Sequence, residues 1–338
     1  MTRIPSPRTR PATTAATALL TLGLGLTAGL TACGSDSDDT ATPDAGGAGG
    51  TVILANAFGD ADYPVDPRRV VVTASALDNV LALGVTPTAV VMTDQDEGAP
   101  WREGMLDGVE RITVSTYGDL DVEKIAAADP DVIIGDIYWI DSQDEYDRLS
   151  GIAPTLNGPS RDPMKATWKE RLTQLGELFD RRDEAQRILD EDAGLFTRAR
   201  EDMAGLAGKT GWVGRDQGDG KIGASPDPAE ASNSFLYDLG MTLPADIEGR
   251  EPNAAGGSYV VSPENYDEFA ADFSVIYSAA GIASLESRPT FAALPQVRNG
   301  TMVSDNYAVV IGLAQPSSLV RAWALDELRP VLVKVAAE

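Results

Sequence analysis

DVEKIAAADPDVIIG, residues 121 to 135, reads as one helix followed at once by one strand. Asp121 offers a carboxylate to the free N–H groups of a helix start. Val122 and Ile125, three apart, give that helix an inward side. Pro130 has no N–H to donate and closes it. Val132-Ile133-Ile134 is then a short β-branched run of the kind that forms a strand.

Upstream, the same alternation occurs in reverse order. Arg69-Val70-Val71-Val72-Thr73 has the continuous apolar character of a buried parallel strand. Ser75 to Gly84, apolar at 77, 80, 81 and 83, fits a helix stopped by Gly84, and Thr88 to Met92 returns as a strand. A right-handed βαβ unit is expected here. Downstream, Glu268 to Tyr277 echoes the order of acid, apolar-alanine segment, aspartate and apolar strand, with Gly211–Gly214 and Thr301–Ser304 as flanking strands. Two α/β lobes are therefore expected. Between them Lys165 to Ala204 contains no proline, and Trp168, Leu172, Leu175 and Phe179 recur at helical spacing. We read two consecutive helices broken near Asp180 to Asp183, the second long enough to bridge the lobes as a stiff hinge.

The ends of the chain bound its location. Arg3, Arg8 and Arg10 precede an apolar run from Ala15 to Leu30, and Leu30-Thr31-Ala32 leads into Cys33, the single cysteine. This pattern resembles a bacterial lipoprotein signal, in which the cysteine becomes the lipidated mature N-terminus. Gly34 to Gly50 lacks bulky apolar residues and is expected to be a flexible tether. The segments are then a signal over 1–32, a lipidated tether over 33–50, an N-terminal lobe over 51–164, bridging helices over 165–204 and a C-terminal lobe over 205–338.

Composition excludes several chemistries. The formal charge is -25, and loss of residues 1–32, with three arginines and no acids, would take it to -28. Such a body repels nucleic acid and anionic lipid, so membrane attachment must come from the lipid. The chain has no histidine. Imidazole acid–base catalysis, histidine-dependent triads and histidine-rich metal sites are absent with it.

Four phrases in register resemble the substrate-binding lipoproteins of iron-siderophore ABC importers, a family whose fold includes ferrichrome and vitamin B12 binders. They are Pro67–Val72, Leu81–Pro87, Asp121–Ile134 and the tail from Arg288-Pro289 through Leu294–Gly300. The resemblance implies two Rossmann-like α/β lobes joined by a long bridging helix, in the manner of class III periplasmic binding proteins. It implies ligand capture in the cleft without catalysis, by a monomer outside the cytoplasm. It also implies no cofactor and no protein metal ligands, because the siderophore holds the iron. The partners it implies are a ferric siderophore, an ABC permease and its ATPase, and the membrane through the lipid.

Ligand contacts are expected from aromatic and basic side chains that follow strands. These are Trp101, Tyr117, Tyr138 and Trp139 in the first lobe, and Trp212, Arg215, Tyr277 and Tyr307 in the second. Aromatic faces can stack on a hydroxamate or catecholate chelate, and arginine can donate to its oxygens. In the family one acid on each lobe meets arginines of the permease. Glu123 matches the first-lobe position, Asp238 is the nearest acid in the second, and Asp78 is a further exposed acid with a weaker claim. The acidic body favours a near-neutral ferric hydroxamate over an anionic catecholate. Alternatives are a binder of cobalamin or haem, for which only tyrosine could be the axial ligand, and a secreted hydrolase using paired carboxylates.

Overall fold

The structure, a computed structural model, describes residues 50–160 and 167–338; Cys33, the signal, the tether before Gly50 and Lys165 lie outside them. The first described element is a hairpin of β1 (Thr51–Leu54) and β2 (Ala61–Pro64). Tyr63 of β2 is buried, and its hydroxyl donates to the Thr155 carbonyl at 3.1 Å, fastening the hairpin to the first lobe.

That lobe runs β3 (Val70–Thr73), α1 (Ala74–Ala82), β4 (Ala89–Thr93), α2 (Asp94–Glu97), β5 (Glu110–Val114), α3 (Val122–Ala127), β6 (Val132–Ile134), α4 (Gln143–Ser150) and β7 (Thr155–Leu156). Its sheet is wholly parallel in the order β5-β4-β3-β6-β7. Every residue of β3, β4 and β6 is buried, as strands covered by helices on both faces must be. The Asp121 carboxylate accepts the Lys124 N–H at 3.1 Å to start α3, and the backbone leaves the helix at Asp129 with φ of 46°. Asp131 then accepts the N–H groups of Arg68 and Arg69 at 2.9 and 2.8 Å, aligning the entry to β6 with the entry to β3.

α5 (Trp168–Leu178) and α6 (Arg182–Asp202) follow, separated by a turn in which Asp180 has φ of 52°. The 21 residues of α6 span about 30 Å at 1.5 Å each. Its Ala185 and Ile188 belong to the first lobe's core, and its Phe196 and Ala199 to a core of the second.

The second lobe contains β8 (Gly211–Gly218), β9 (Lys221–Ala224), α7 (Ala231–Asp238), β10 (Tyr259–Val261), β11 (Phe273–Tyr277), α8 (Ala283–Glu286), α9 (Pro289–Ala292), α10 (Pro295–Arg298), β12 (Met302–Ser304), α11 (Tyr307–Ala314) and α12 (Ser318–Ala337). Its sheet, β10-β9-β8-β11-β12, pairs in parallel from β8 through β11 to β12, while β9 runs antiparallel to both its neighbours, β8 and β10. The reversal comes from Asp219 and Gly220, both at positive φ, which close the β8–β9 hairpin. The echo before β11 differs too. Residues Pro263–Phe269 form short 3-10 turns interrupted at Asn265 (φ -115°, ψ 24°) rather than an α-helix, with Tyr266 and Phe269, three apart, buried.

Candidate functional site

The carboxyl ends of both sheets converge on one cleft. Ser75, Gln95 and Tyr138 follow β3, β4 and β6, while Tyr277 ends β11 and Tyr307 follows β12. A cavity of about 260 Å³ lies between the lobes. Asn79, Asp136, Tyr138, Trp168, Lys169 and Arg171 form its first-lobe wall; Glu230, Ser234, Asp238 and Gln315 form the other. A second cavity of about 80 Å³, sharing Ser75 and Gln315 with the first, lies between Trp101 and Arg102 on one side and Tyr307, Ile311 and Gly312 on the other.

The start of α5 builds the basic wall. Thr167 and Glu170 cap it reciprocally: the Thr167 hydroxyl accepts the Glu170 N–H at 3.2 Å, and the Glu170 carboxylate accepts the Thr167 N–H at 2.8 Å. This fixes Trp168, Lys169 and Arg171 on one turn. The Lys169 ammonium lies 5.8 Å from the centre of the Trp168 ring. The Arg171 guanidinium donates to the Gly135 carbonyl at 2.8 Å; burial lowers its pKa, and the nearby Asp136 carboxylate opposes that.

The opposite wall is acidic. Glu230 precedes α7, and its carboxylate accepts the Ser232 N–H at 2.9 Å together with the Ser232 hydroxyl. Burial raises the Glu230 carboxyl above its ordinary value, against the pull of those donors. Asp238, at the end of α7, accepts from Arg321 Nη2 at 2.6 Å. Arg321 of α12 is buried, donates from Nε to Asp192 of α6 at 2.8 Å, and lies 4.0 Å from the Phe196 ring centre and 5.6 Å from that of Trp168.

Around the mouth the structure gathers most of the aromatic candidates. Tyr117 and Tyr138 are two of the five exposed large apolar side chains among the described residues, and both follow first-lobe strands. Exposed rings at a cleft rim are a usual mark of ligand contact. The Tyr117 hydroxyl donates to Asp96 at 3.1 Å, and burial, followed by the Asp96 charge, raises its pKa. Tyr307 crosses the cleft, donating to Gln95 at 3.0 Å, and packs edge-on to Tyr277 at 4.9 Å. Burial raises the Tyr307 pKa, and exposed Arg215 pulls it down. Trp101 donates from its indole N–H to Asp78 at 2.8 Å and packs on Trp323 at 5.2 Å. Gly312 makes room for it: a Cβ there would stand 3.2 Å from the Trp101 ring and 2.8 Å from Val320.

Four expectations need correction. Trp139 is fully buried, because the Asp136 carbonyl accepts the N–H groups of both Trp139 and Ile140 at 3.0 and 2.8 Å, a turn that sends Tyr138 outward and Trp139 into the core. Its ring meets Tyr117 edge-on at 4.9 Å, behind the cleft surface. Trp212 is also fully buried, in the centre of the second sheet, with its indole N–H on the Phe269 carbonyl at 2.9 Å. Asp238 lines the cleft cavity, its carboxylate engaged by Arg321. Asp78 is buried and paired with Arg102 at 2.5 Å. Glu123, by contrast, is exposed in the first turn of α3 while Ile125 points into the core.

Lys169, Arg171 and Glu230 were not among the expected contacts. The Thr167-x-x-Glu170 capping box was a readable signal for where α5 begins; nothing in the sequence singles out Glu230.

A family model described as "Periplasmic binding protein" matches residues 70–306. A probable siderophore-binding lipoprotein of Bacillus subtilis (strain 168), YfiY, is 31% identical over 144 residues, 41% of this chain and 42% of that protein. The chain spans about two-fifths of the length of the curated relatives it matches. Among solved structures, a periplasmic solute binding protein from Mycobacterium smegmatis superposes with a TM-score of 0.67 at 26% identity, over 85% of this chain and 99% of that one. Streptococcus pneumoniae TIGR4 PiaA in complex with ferrichrome gives 0.68 at 20% identity, over 84% and 98%, a likeness of fold.

Proposed function

This chain belongs to the periplasmic binding protein family, and from that premise we propose that it captures a ferric siderophore of hydroxamate type and delivers it to an ABC permease. The observation that carries the reading is the cleft itself, in which exposed Tyr138 and the ring of Trp168 stand beside Lys169 and Arg171 between two lobes. Rings supply apolar stacking area, and a guanidinium donates to chelate oxygens as paired hydrogen bonds. The siderophore supplies the iron ligands, so the protein's part is shape, stacking and charge.

The chain's charge of -25 favours a near-neutral hydroxamate chelate over an anionic catecholate. The name of YfiY and the ferrichrome bound to PiaA support the ligand class. α6 enters both cores, which supports a clamp that moves little on binding. Lipid attachment at Cys33 holds the body outside the cytoplasm, and Glu123, exposed at the start of α3, serves as the first-lobe acid for the permease. The lobes are 51–164 and 205–338, bridged by 165–204. The protein acts as a monomeric receptor and not as an enzyme.

Titrating purified protein with a panel of ferric hydroxamates, catecholates and citrate, with cobalamin and haem included, tests this through the fluorescence of Trp101 and Trp168. Saturable quenching by a ferric hydroxamate is expected. A response to cobalamin or haem alone would contradict it.

A further inference from the structure

The main cavity has walls of opposite character. On the first-lobe side, α5 presents Lys169 and Arg171; on the second-lobe side, α7 presents Glu230 at its start and Asp238 at its end. One guanidinium, that of Arg321, is shared by two carboxylates, Asp192 and Asp238. Arg200 also approaches Asp238, but it donates to the backbone carbonyl, at 2.6 Å, and not to the carboxylate. Glu230 forms no ion pair among the described residues; Ser232, through its N–H and hydroxyl, and the Asn233 N–H donate to its side chain.

A separate observation points to a ligand at this wall. Asn79 of α1 lines the same cavity, is 2% exposed, and its side-chain oxygen has no hydrogen-bond partner among the described residues. A buried acceptor without a donor costs roughly 1 to 3 kcal/mol, and an incoming N–H would remove that cost. The cavity, about 260 Å³, is smaller than the roughly 300 to 1,000 Å³ of sites that hold a whole drug-sized ligand. It is the size of an arm.

We propose that the second-lobe side of this cavity receives a protonated primary amine on an arm of the siderophore, held by the carboxylates of Glu230 and Asp238 with the Asn79 oxygen as a further acceptor, while the iron chelate stays against Tyr138 and the basic first-lobe wall. The proposal rests on the siderophore reading above and narrows its ligand to an amine-bearing ferric hydroxamate. An ammonium brings three donors, matching three acceptors that come from both lobes. It also brings a positive charge to a chain of -25.

The test uses a linear ferric trihydroxamate with a free terminal amine, its N-methyl form, which keeps the charge and adds bulk, and its N-acetyl form, which removes the charge. Affinities are read by titration calorimetry on the purified protein and on Glu230→Gln and Asp238→Asn. The amine and N-methyl forms are expected to bind at least about tenfold more tightly than the acetyl form, the size of one charge-assisted hydrogen bond. Each substitution should shrink that preference. Equal binding of all three forms by the wild type overturns the amine assignment and leaves the siderophore reading intact. A preference that survives in both variants overturns the assignment to these carboxylates. Failure of every ferric siderophore to bind overturns the siderophore reading, and this inference with it.

Discussion

Arg321 donates to Asp238 at 2.6 Å and, from the same buried guanidinium, to Asp192 at 2.8 Å, so a single side chain of α12 holds the bridging helix and the cleft helix together. Removing it strands Asp192, itself buried, without a counter-charge. Arg321→Ala should therefore lower stability by about 3 to 5 kcal/mol, the usual cost of breaking a buried ion pair from one side. Urea unfolding measures it. The double variant Arg321→Leu with Asp192→Leu should lose much less, because no unpaired charge remains there.

Glu230 makes a different prediction, one that depends on pH. Burial raises its carboxyl in the folded state, so folding favours the protonated form. The associated stability is fully present below the unfolded value and is lost as pH rises through the raised one. Glu230→Gln, which cannot ionise, should thus be more stable than wild type at neutral pH. The advantage should fade as pH falls below the ordinary carboxyl value of 4.5. Thermal melts at pH 4 and pH 7 check the sign; an equal effect at both would contradict it.

Affinity and stability separate at adjacent residues. Tyr138 is exposed at the cleft and Trp139 is buried behind it. Tyr138→Ala should weaken chelate binding by about 1 to 3 kcal/mol with little change in melting temperature, whereas Arg171→Ala should weaken it by a similar amount and also lower the melting temperature, because the Gly135 carbonyl loses its donor. Trp139→Ala should cost about 3 to 5 kcal/mol of stability. Parallel calorimetry and melting curves on the three variants decide between these outcomes.

The first lobe was legible because its signals are local. Asp121, Pro130 and the β-branched run after them state a helix stop and a strand start within fifteen residues, and β3, β4 and β6 are buried without interruption. The antiparallel half of the second sheet is written in Asp219-Gly220, a hairpin signal that interrupts the repeat of parallel units. Side-chain direction was harder. Tyr138 and Trp139 are equal candidates in sequence, and only the helical turn on the Asp136 carbonyl sends one out and the other in. Asp238 and Arg321 are 83 residues apart, and their pairing follows from how α12 packs on α6 and on α11, which in turn packs on α7. No local pattern carries that.

Delivery should be separable from capture. Glu123 is exposed at the start of α3 and distant in role from the cleft wall, whereas Asp238 is engaged by Arg321. Glu123→Arg should leave siderophore affinity unchanged and reduce uptake by cells, since a like charge set against permease arginines spoils docking. Uptake at the wild-type rate, at equal protein levels, would remove Glu123 from the interface.

The most direct measurement is equilibrium dialysis of the purified protein against a ferric trihydroxamate carrying radioactive iron in one arm and a radiolabelled organic skeleton in a second. The account predicts that iron and skeleton are retained together, one chelate per chain, and that Tyr138→Ala with Arg171→Ala releases both. Retention of iron without the skeleton, or of neither label by the wild-type protein, would contradict it.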